Sequence, residues 1–232
     1  MNHDAAMDQP QQVAPSPSQL VDEAKAAAPS RDAADVAKSA EREKWRASLR
    51  EANQHVWLHG PHGSGDNLDA SLKRNSAFIK RLKQTNLADA KDALVKEVQL
   101  LSLTKYLDEL IPSIPEILWK ATQLKDRYAA IEILSALHAR FGGSEFTEPL
   151  VKVIEQEIVP PPPKSQDASN EQAQKEAALV ARQRSLLRGV TEMVLVGLVG
   201  PMTLSEGVCA PGLNWLYEQL RKMLSQDRDL VY

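Results

Sequence analysis

The chain has 232 residues, with 28 lysines and arginines against 31 acidic side chains and a net charge of −3. That balance, with a pI near 6.0, excludes a polycation that coats nucleic acid or anionic membrane indiscriminately, so any basic surface has to be local. The length allows one large domain or two small ones plus a tail.

Cys209 is the sole cysteine, which rules out a disulfide framework or a thiolate metal cluster and favours a reducing compartment. The start, MNHDAAMDQPQQ, has neither the basic nor the apolar region of a signal peptide. The longest apolar run, VTEMVLVGLVG, is short for a membrane span and carries Glu192. The expected protein is soluble, without membrane association, and cytoplasmic, extending to the perinuclear region.

Residues 1–32 are rich in Ala, Gln, Ser and Pro. They cannot bury enough surface to offset ordering entropy and read as a disordered tail. Residues 33–58 read as a charged helix, with Trp45 and Leu49 at i, i+4 as its docking side chains. Residues 59–66 form a turn-rich hinge, and 67–232 a helical domain. Within it, Leu68, Leu72, Ile79 and Leu82 return on one helical face, and Asn86 is placed to cap LADAKDALVKEVQLL. Thr104 is placed to cap the next helix, which Pro112 and Pro115 should bend or split.

Leu124 to Phe141 is helical and stopped by Gly142-Gly143. Phe146, Leu150, Val153, Ile154 and Ile158 mark another helix, and a Pro-rich loop follows at 160–170. Glu171 to Val199 is a long helix, apolar nearly all round after Val190, and Leu213, Leu216, Leu220 and Leu224 align in the last one. No segment reads as a strand. The expected fold is all-α, with antiparallel helical hairpins stacked in a HEAT-like solenoid.

Catalytic and metal signatures are absent. HVWLH (His55–His59) has the spacing of a zinc helix, but Val56 stands where the general base would be, and Gly60-Pro61 ends the helix. GPHGSG has no Lys and no preceding strand, so it is no phosphate loop. Cys209 has no basic neighbour to activate it. The expectation is no enzyme, no catalytic residue, no metal, no cofactor and no small-molecule substrate. PPPPK reads as a spacer between helices, and Ser18 and Ser165, each followed by Gln, are candidate phosphorylation sites in flexible segments.

SLKRNSAFIKRLK, Ser71–Lys83, holds five basic residues and no acidic one. On a helical projection with Leu68 at zero, Leu72, Ile79 and Leu82 lie within about 40° of it and Phe78 at about −80°, while Lys73, Arg74, Lys80 and Arg81 take the far side. Lys83 sits on the flank. The helix dipole and the packing of long stems explain such a face without a ligand. A basic ridge without interspersed Glu also suits a protein partner or RNA phosphates. Lys73, Arg74, Lys80 and Arg81 are the candidate contact residues, held outward because Leu72, Ile79 and Leu82 lock the other face.

The blocks LDASLKRNSAFIKRLKQ, LSLTKYLDELIPSI, AAIEILSALHARF, VLVGLV and LNWLYEQLRKML occur in that order. Together they resemble the first middle domain of the regulators of nonsense transcripts, in the branch called second up-frameshift proteins. The resemblance runs from about Trp45 to the end. It implies a helical-hairpin domain like the middle domain of translation initiation factor 4 gamma, and an adaptor's place in nonsense-mediated mRNA decay. It also implies protein partners in the surveillance complex, held mainly by later domains outside this chain, which would then be an N-terminal fragment.

Overall fold

A computed structural model of the chain describes residues 31–63, 68–84, 86–158, 170–200 and 211–228. The tail with Ser18, the Pro-rich loop with Ser165, and Cys209 lie outside the described residues. Among the described residues eight α-helices follow one another: α1 (Arg31–His59), α2 (Leu72–Leu82), α3 (Leu87–Leu100), α4 (Leu107–Lys120), α5 (Leu124–Gly142), α6 (Glu148–Glu157), α7 (Asn170–Leu195) and α8 (Pro211–Arg228). The chain divides into two compact units, Met1–Lys44 and Trp45–Tyr232. The described part of the first is helical and largely exposed, as Val36 at 68% exposure illustrates.

The second unit is all-α. Helix α3 packs on α5 and α5 on α7, while α4 packs on α6 and α7, and α7 carries α8. Packing of every second helix is the arrangement of stacked helical hairpins, so the solenoid inferred from periodicity is what forms. One continuous core joins the layers through Phe78, Leu94, Ile114, Ile131, Phe146 and Met193, all fully buried. Among the described residues the β-bridge is an isolated parallel one between Asp69 and Leu101.

Helix α2 buries Asn75, Phe78, Ile79 and Leu82, the i, i+3, i+4, i+7 set of one helical face. This corrects the sequence reading in two places. Leu72 is 68% exposed and locks nothing, whereas Phe78, placed off the apolar face, is fully buried. Leu72 is the first residue of the helix. The entry is fixed instead by polar bonds: Asp69 Oδ1 accepts the Ser71 N–H at 2.8 Å, and the Asn75 amide donates to the Ser71 carbonyl at 2.9 Å. Asn75 thus occupies the first core-facing position, and the apolar stripe centres one turn later.

Two further expectations change. The side chain of Asn86 makes no capping bond; Asp126 of α5 accepts the Ala88 N–H at 3.0 Å, so the orphan donor is met across the fold. Thr104 lies in a short 3₁₀ turn, Thr104–Tyr106, and α4 then runs unbroken through Pro112 and Pro115. Each proline removes one backbone bond. Pro112 and Asp108 are both exposed, so the carbonyl freed there stays hydrated. Leu107, Leu110, Ile111, Ile114, Ile117 and Leu118 are buried on both sides of the prolines and hold the two halves in line.

Helix α5 stops where the glycines place the stop. Gly142 has φ +78°, a conformation only glycine adopts without strain. A π-helical turn, Gly143–Thr147, leads into α6. At Gly143 an added Cβ would lie 2.0 Å from Trp57 Cζ3, so the indole needs this position bare. Helix α7 ends at Leu195, earlier than the apolar run, and the chain turns back with Val196, Leu198 and Val199 buried. In α8, Leu216 is buried but Leu220 is 39% exposed.

His138 is fully buried on α5, its Nδ1 2.7 Å from Thr147 Oγ1 and its ring 4.9 Å from that of Trp57. Burial pushes its pKa down from 6.5 to about 4. The unfolded chain therefore binds a proton that the folded chain refuses. Stability from this group is complete above pH 6.5 and is lost as pH falls toward 4, by about 3 kcal/mol. Urea midpoints of the parent and of His138→Gln should diverge across that window, the parent losing more; parallel curves would contradict the assignment.

The corrected face of α2 predicts a contrast. Leu82→Asp should abolish the cooperative urea transition by burying an unpaired charge, and Leu82→Ala should cost about 2–5 kcal/mol. Leu72→Asp should stay within about 0.5 kcal/mol of the parent.

Candidate protein or nucleic-acid interface

The ridge of α2 forms on the solvent side as the sequence pattern requires, but it is not a free row of cations. Arg74 is paired with Asp69 in the loop before the helix, and Arg81 with Glu97 of α3. Lys83 lies 3.8 Å from Glu109 of α4. Lys73 and Lys80 are exposed and, among the described residues, have no ion-pair partner. Of the four candidate contacts, two lysines therefore keep their full charge toward solvent. The exposed Leu72 flanks Lys73, and Leu100, itself 54% exposed, is tied to the same edge by the Asp69 N–H bond to its carbonyl at 2.9 Å. The edge is apolar and mildly cationic.

The neutralising carboxylates were invisible to a reading of Ser71–Lys83 because they come from other elements. A second polar surface was missed as well. From Trp45 onward, α1 docks with a row of donors. Trp45 Nε1 donates to Glu132 at 2.9 Å, and its ring lies 4.3 Å from that of Tyr128. Arg46 forks both oxygens of Glu192 on α7, at 2.9 and 2.7 Å. Beyond it Arg50 donates to the Leu195 carbonyl at 2.9 Å, Asn53 to that of Val196 at 2.8 Å, and Trp57 to that of Gly197 at 3.1 Å. The last carbonyls of α7 and its turn have no intrahelical donors; side chains of α1 supply them. The available signal was the four-residue spacing of Trp45, Leu49, Asn53 and Trp57.

The histidine cluster holds no metal geometry. His55 stacks on His59 and His62 at ring distances of 4.3 and 5.6 Å, so the rings meet face to face instead of converging their nitrogens. Among the described residues no group of three or more His, Cys, Asp or Glu side chains is placed to hold a metal ion. No described helix is long and apolar enough to cross a membrane.

Comparison with known proteins places the chain. It is 39% identical over 132 residues to Nonsense-mediated mRNA decay protein 2 of Saccharomyces cerevisiae, covering 56% of this chain and 12% of that protein. It is 31% identical over 192 residues to Regulator of nonsense transcripts 2 of Mus musculus, covering 82% of this chain and 13% of that protein. The solved N-terminal mIF4G domain of Saccharomyces cerevisiae Upf2, described as involved in the degradation of mRNAs containing premature stop codons, matches with a TM-score of 0.60 at 29% identity. That match covers 78% of this chain and 60% of the solved one.

The chain is a homologue of regulator of nonsense transcripts 2. It corresponds to roughly an eighth of the curated relatives' length, and no family model matches it. The solved Upf2 domain is an mIF4G domain, which agrees with the hairpin stack seen here and with the resemblance carried by the sequence blocks.

The charge pairing sets an upper bound on any RNA contact made through α2. Anisotropy titrations of a short unstructured RNA at about 50 and about 200 mM salt should show the Lys73→Glu/Lys80→Glu variant lowering the salt slope by at most about 1.4, the value for two phosphates on a single strand. A drop of three phosphates or more would mean that Arg74 and Arg81 abandon their carboxylates for RNA.

Proposed function

We propose that this chain serves nonsense-mediated mRNA decay as a non-catalytic scaffold domain in the cytoplasm. It presents a fixed helical surface to protein partners of the surveillance complex and orients the rest of the adaptor. In this plan residues 1–32 form a tail and 33–58 a helix, whose part from Trp45 onward shares a compact unit with the middle domain, 67–232, across the connecting segment 59–66. The observation that carries the reading is the likeness to Nonsense-mediated mRNA decay protein 2 and Regulator of nonsense transcripts 2, together with the likeness of fold to the Upf2 mIF4G domain.

The α2 edge supports a protein partner over RNA phosphates. Two of its four candidate cations are held by carboxylates, and Leu72 and Leu100 offer apolar contact beside the two that are not. Direct RNA binding through 73–83 is the second reading, and it rests on Lys73 and Lys80 alone.

The test is a chimera. In Saccharomyces cerevisiae, the matching segment of Nonsense-mediated mRNA decay protein 2 is replaced by residues 45–223 of this chain, and the half-life of a premature-stop reporter transcript is measured. The half-life should stay short, and Leu72→Asp/Lys73→Glu should lengthen it while leaving the protein folded and abundant. A half-life as long as in a strain lacking the protein, with the chimera folded, would overturn the scaffold reading.

A further inference from the structure

Ten arginines have described side chains between Trp45 and Met223. Eight donate to an oxygen elsewhere in the fold: Arg46, Arg74, Arg81, Arg182 and Arg221 to carboxylates, the other three to backbone carbonyls. Arg184 and Arg188 are the exceptions. Both are exposed on α7, and neither has a partner among the described residues.

They stand at i, i+4, so they share a face with Cβ atoms roughly 5–6 Å apart, a spacing at which like charges repel. Buried Gln183, Ser185, Leu186 and Gly189 around them fix the rotation of the helix, so both arginines stand on its exposed side. One turn further on stands Glu192, the residue that could pair with Arg188 at the same spacing. Arg46 of α1 holds both of its oxygens. A third cation is close by: Arg127 on α5 is held below its ordinary pKa, first by burial and then by the charge of Arg188. Glu192 offsets part of that effect on Arg127, but both of its oxygens accept from Arg46, so neither Arg184 nor Arg188 has a carboxylate of its own among the described residues.

We propose that Arg184 and Arg188 form a binding site for a phosphorylated serine or threonine side chain of a partner protein. A phosphate monoester carries close to two negative charges and three acceptor oxygens, which two guanidinium forks meet with short, charge-assisted bonds. Arginine clusters are the usual means of reading such groups. The site is compact, and α7 has no aromatic side chain on which a base could stack. The chain's net charge of −3 adds no general attraction for a polyanion. These features favour a single dianion over a nucleic-acid track. The site lies on a different helix from the α2 edge and does not depend on the reading given to that edge.

The test uses the full chain, immobilised, and a degenerate peptide library with a central phosphoserine. The same library with serine, and a mixed-sequence single-stranded RNA, are run beside it. The phosphoserine library should be retained about tenfold above its serine counterpart, and Arg184→Ala/Arg188→Ala should bring it to the serine level with an unchanged urea midpoint. Arg46→Ala should weaken retention several-fold by returning Glu192 to Arg188, whereas Arg221→Ala, whose arginine is already paired with Glu218, should leave it unchanged. Equal retention of both libraries, retention that survives the double substitution, or preferential retention of RNA through the same two arginines would each overturn the proposal.

Discussion

Glu192 is a nearly buried carboxylate near the end of α7, and the arrangement around it depends on the fork that Arg46 makes to it. A buried carboxylate without a partner is costly, so α7 can bring this residue against the core only with a cation delivered from outside the hairpin stack. Helix α1 delivers it. The same helix then places Arg50, Asn53 and Trp57 on the three carbonyls that close α7 and its turn. Few apolar side chains of this stretch are fully buried; Val56 is one. Polar bonds to a helix end therefore set the position of Trp45–His59, which belongs to the second unit.

Charge pairing between helices decides what the surface can do. Asp69, Glu97 and Glu109 reach the basic face of α2 from a loop and two other helices. Glu132 of α5 serves Trp45 of α1 and Lys91 of α3 together, and the Lys91 ammonium is raised above its ordinary pKa by that bond. Among the exposed cations without an ion pair in the described residues, Lys96, Lys105, Lys125 and Lys152 stand singly, whereas Lys73 and Lys80 lie beside an apolar edge and Arg184 shares one face of α7 with Arg188. A scaffold in a surveillance complex needs local, addressable contacts of this kind more than a broad field, which would bind any polyanion.

The interior of each helix was legible in the sequence because the apolar period there has no competitor. Ile131, Leu134 and Leu137, or Phe146, Leu150 and Ile154, are buried where the spacing puts them. Helix ends were not legible in the same way. Leu72 fits the period but sits at the first position of α2, and Asn75 takes the core-facing place with bonds to backbone carbonyls. Pro112 and Pro115 looked like breaks because local chemistry disfavours them inside a helix, yet buried side chains on both sides keep α4 continuous. The candidate ridge was found, but its electrostatics depended on residues up to 26 positions away in the chain, as Lys83 and Glu109 are. Only the fold brings such partners together. The docked row on α1 was half visible, since Trp45 and Leu49 were read and their continuation to Asn53 and Trp57 was not.

The measurement that bears most directly on this account is native-state hydrogen exchange of the parent and of Glu192→Gln. That substitution keeps the shape of the side chain and removes the charge that holds Arg46. The account predicts faster exchange across Trp45–His59 with the protection of α3 and α5 unchanged, because α1 is anchored by this fork and the hairpin stack is not. Unchanged protection of Trp45–His59 would contradict it, and the docking of α1 would then have to be assigned to the bonds from Arg50, Asn53 and Trp57 and to its aromatic contacts.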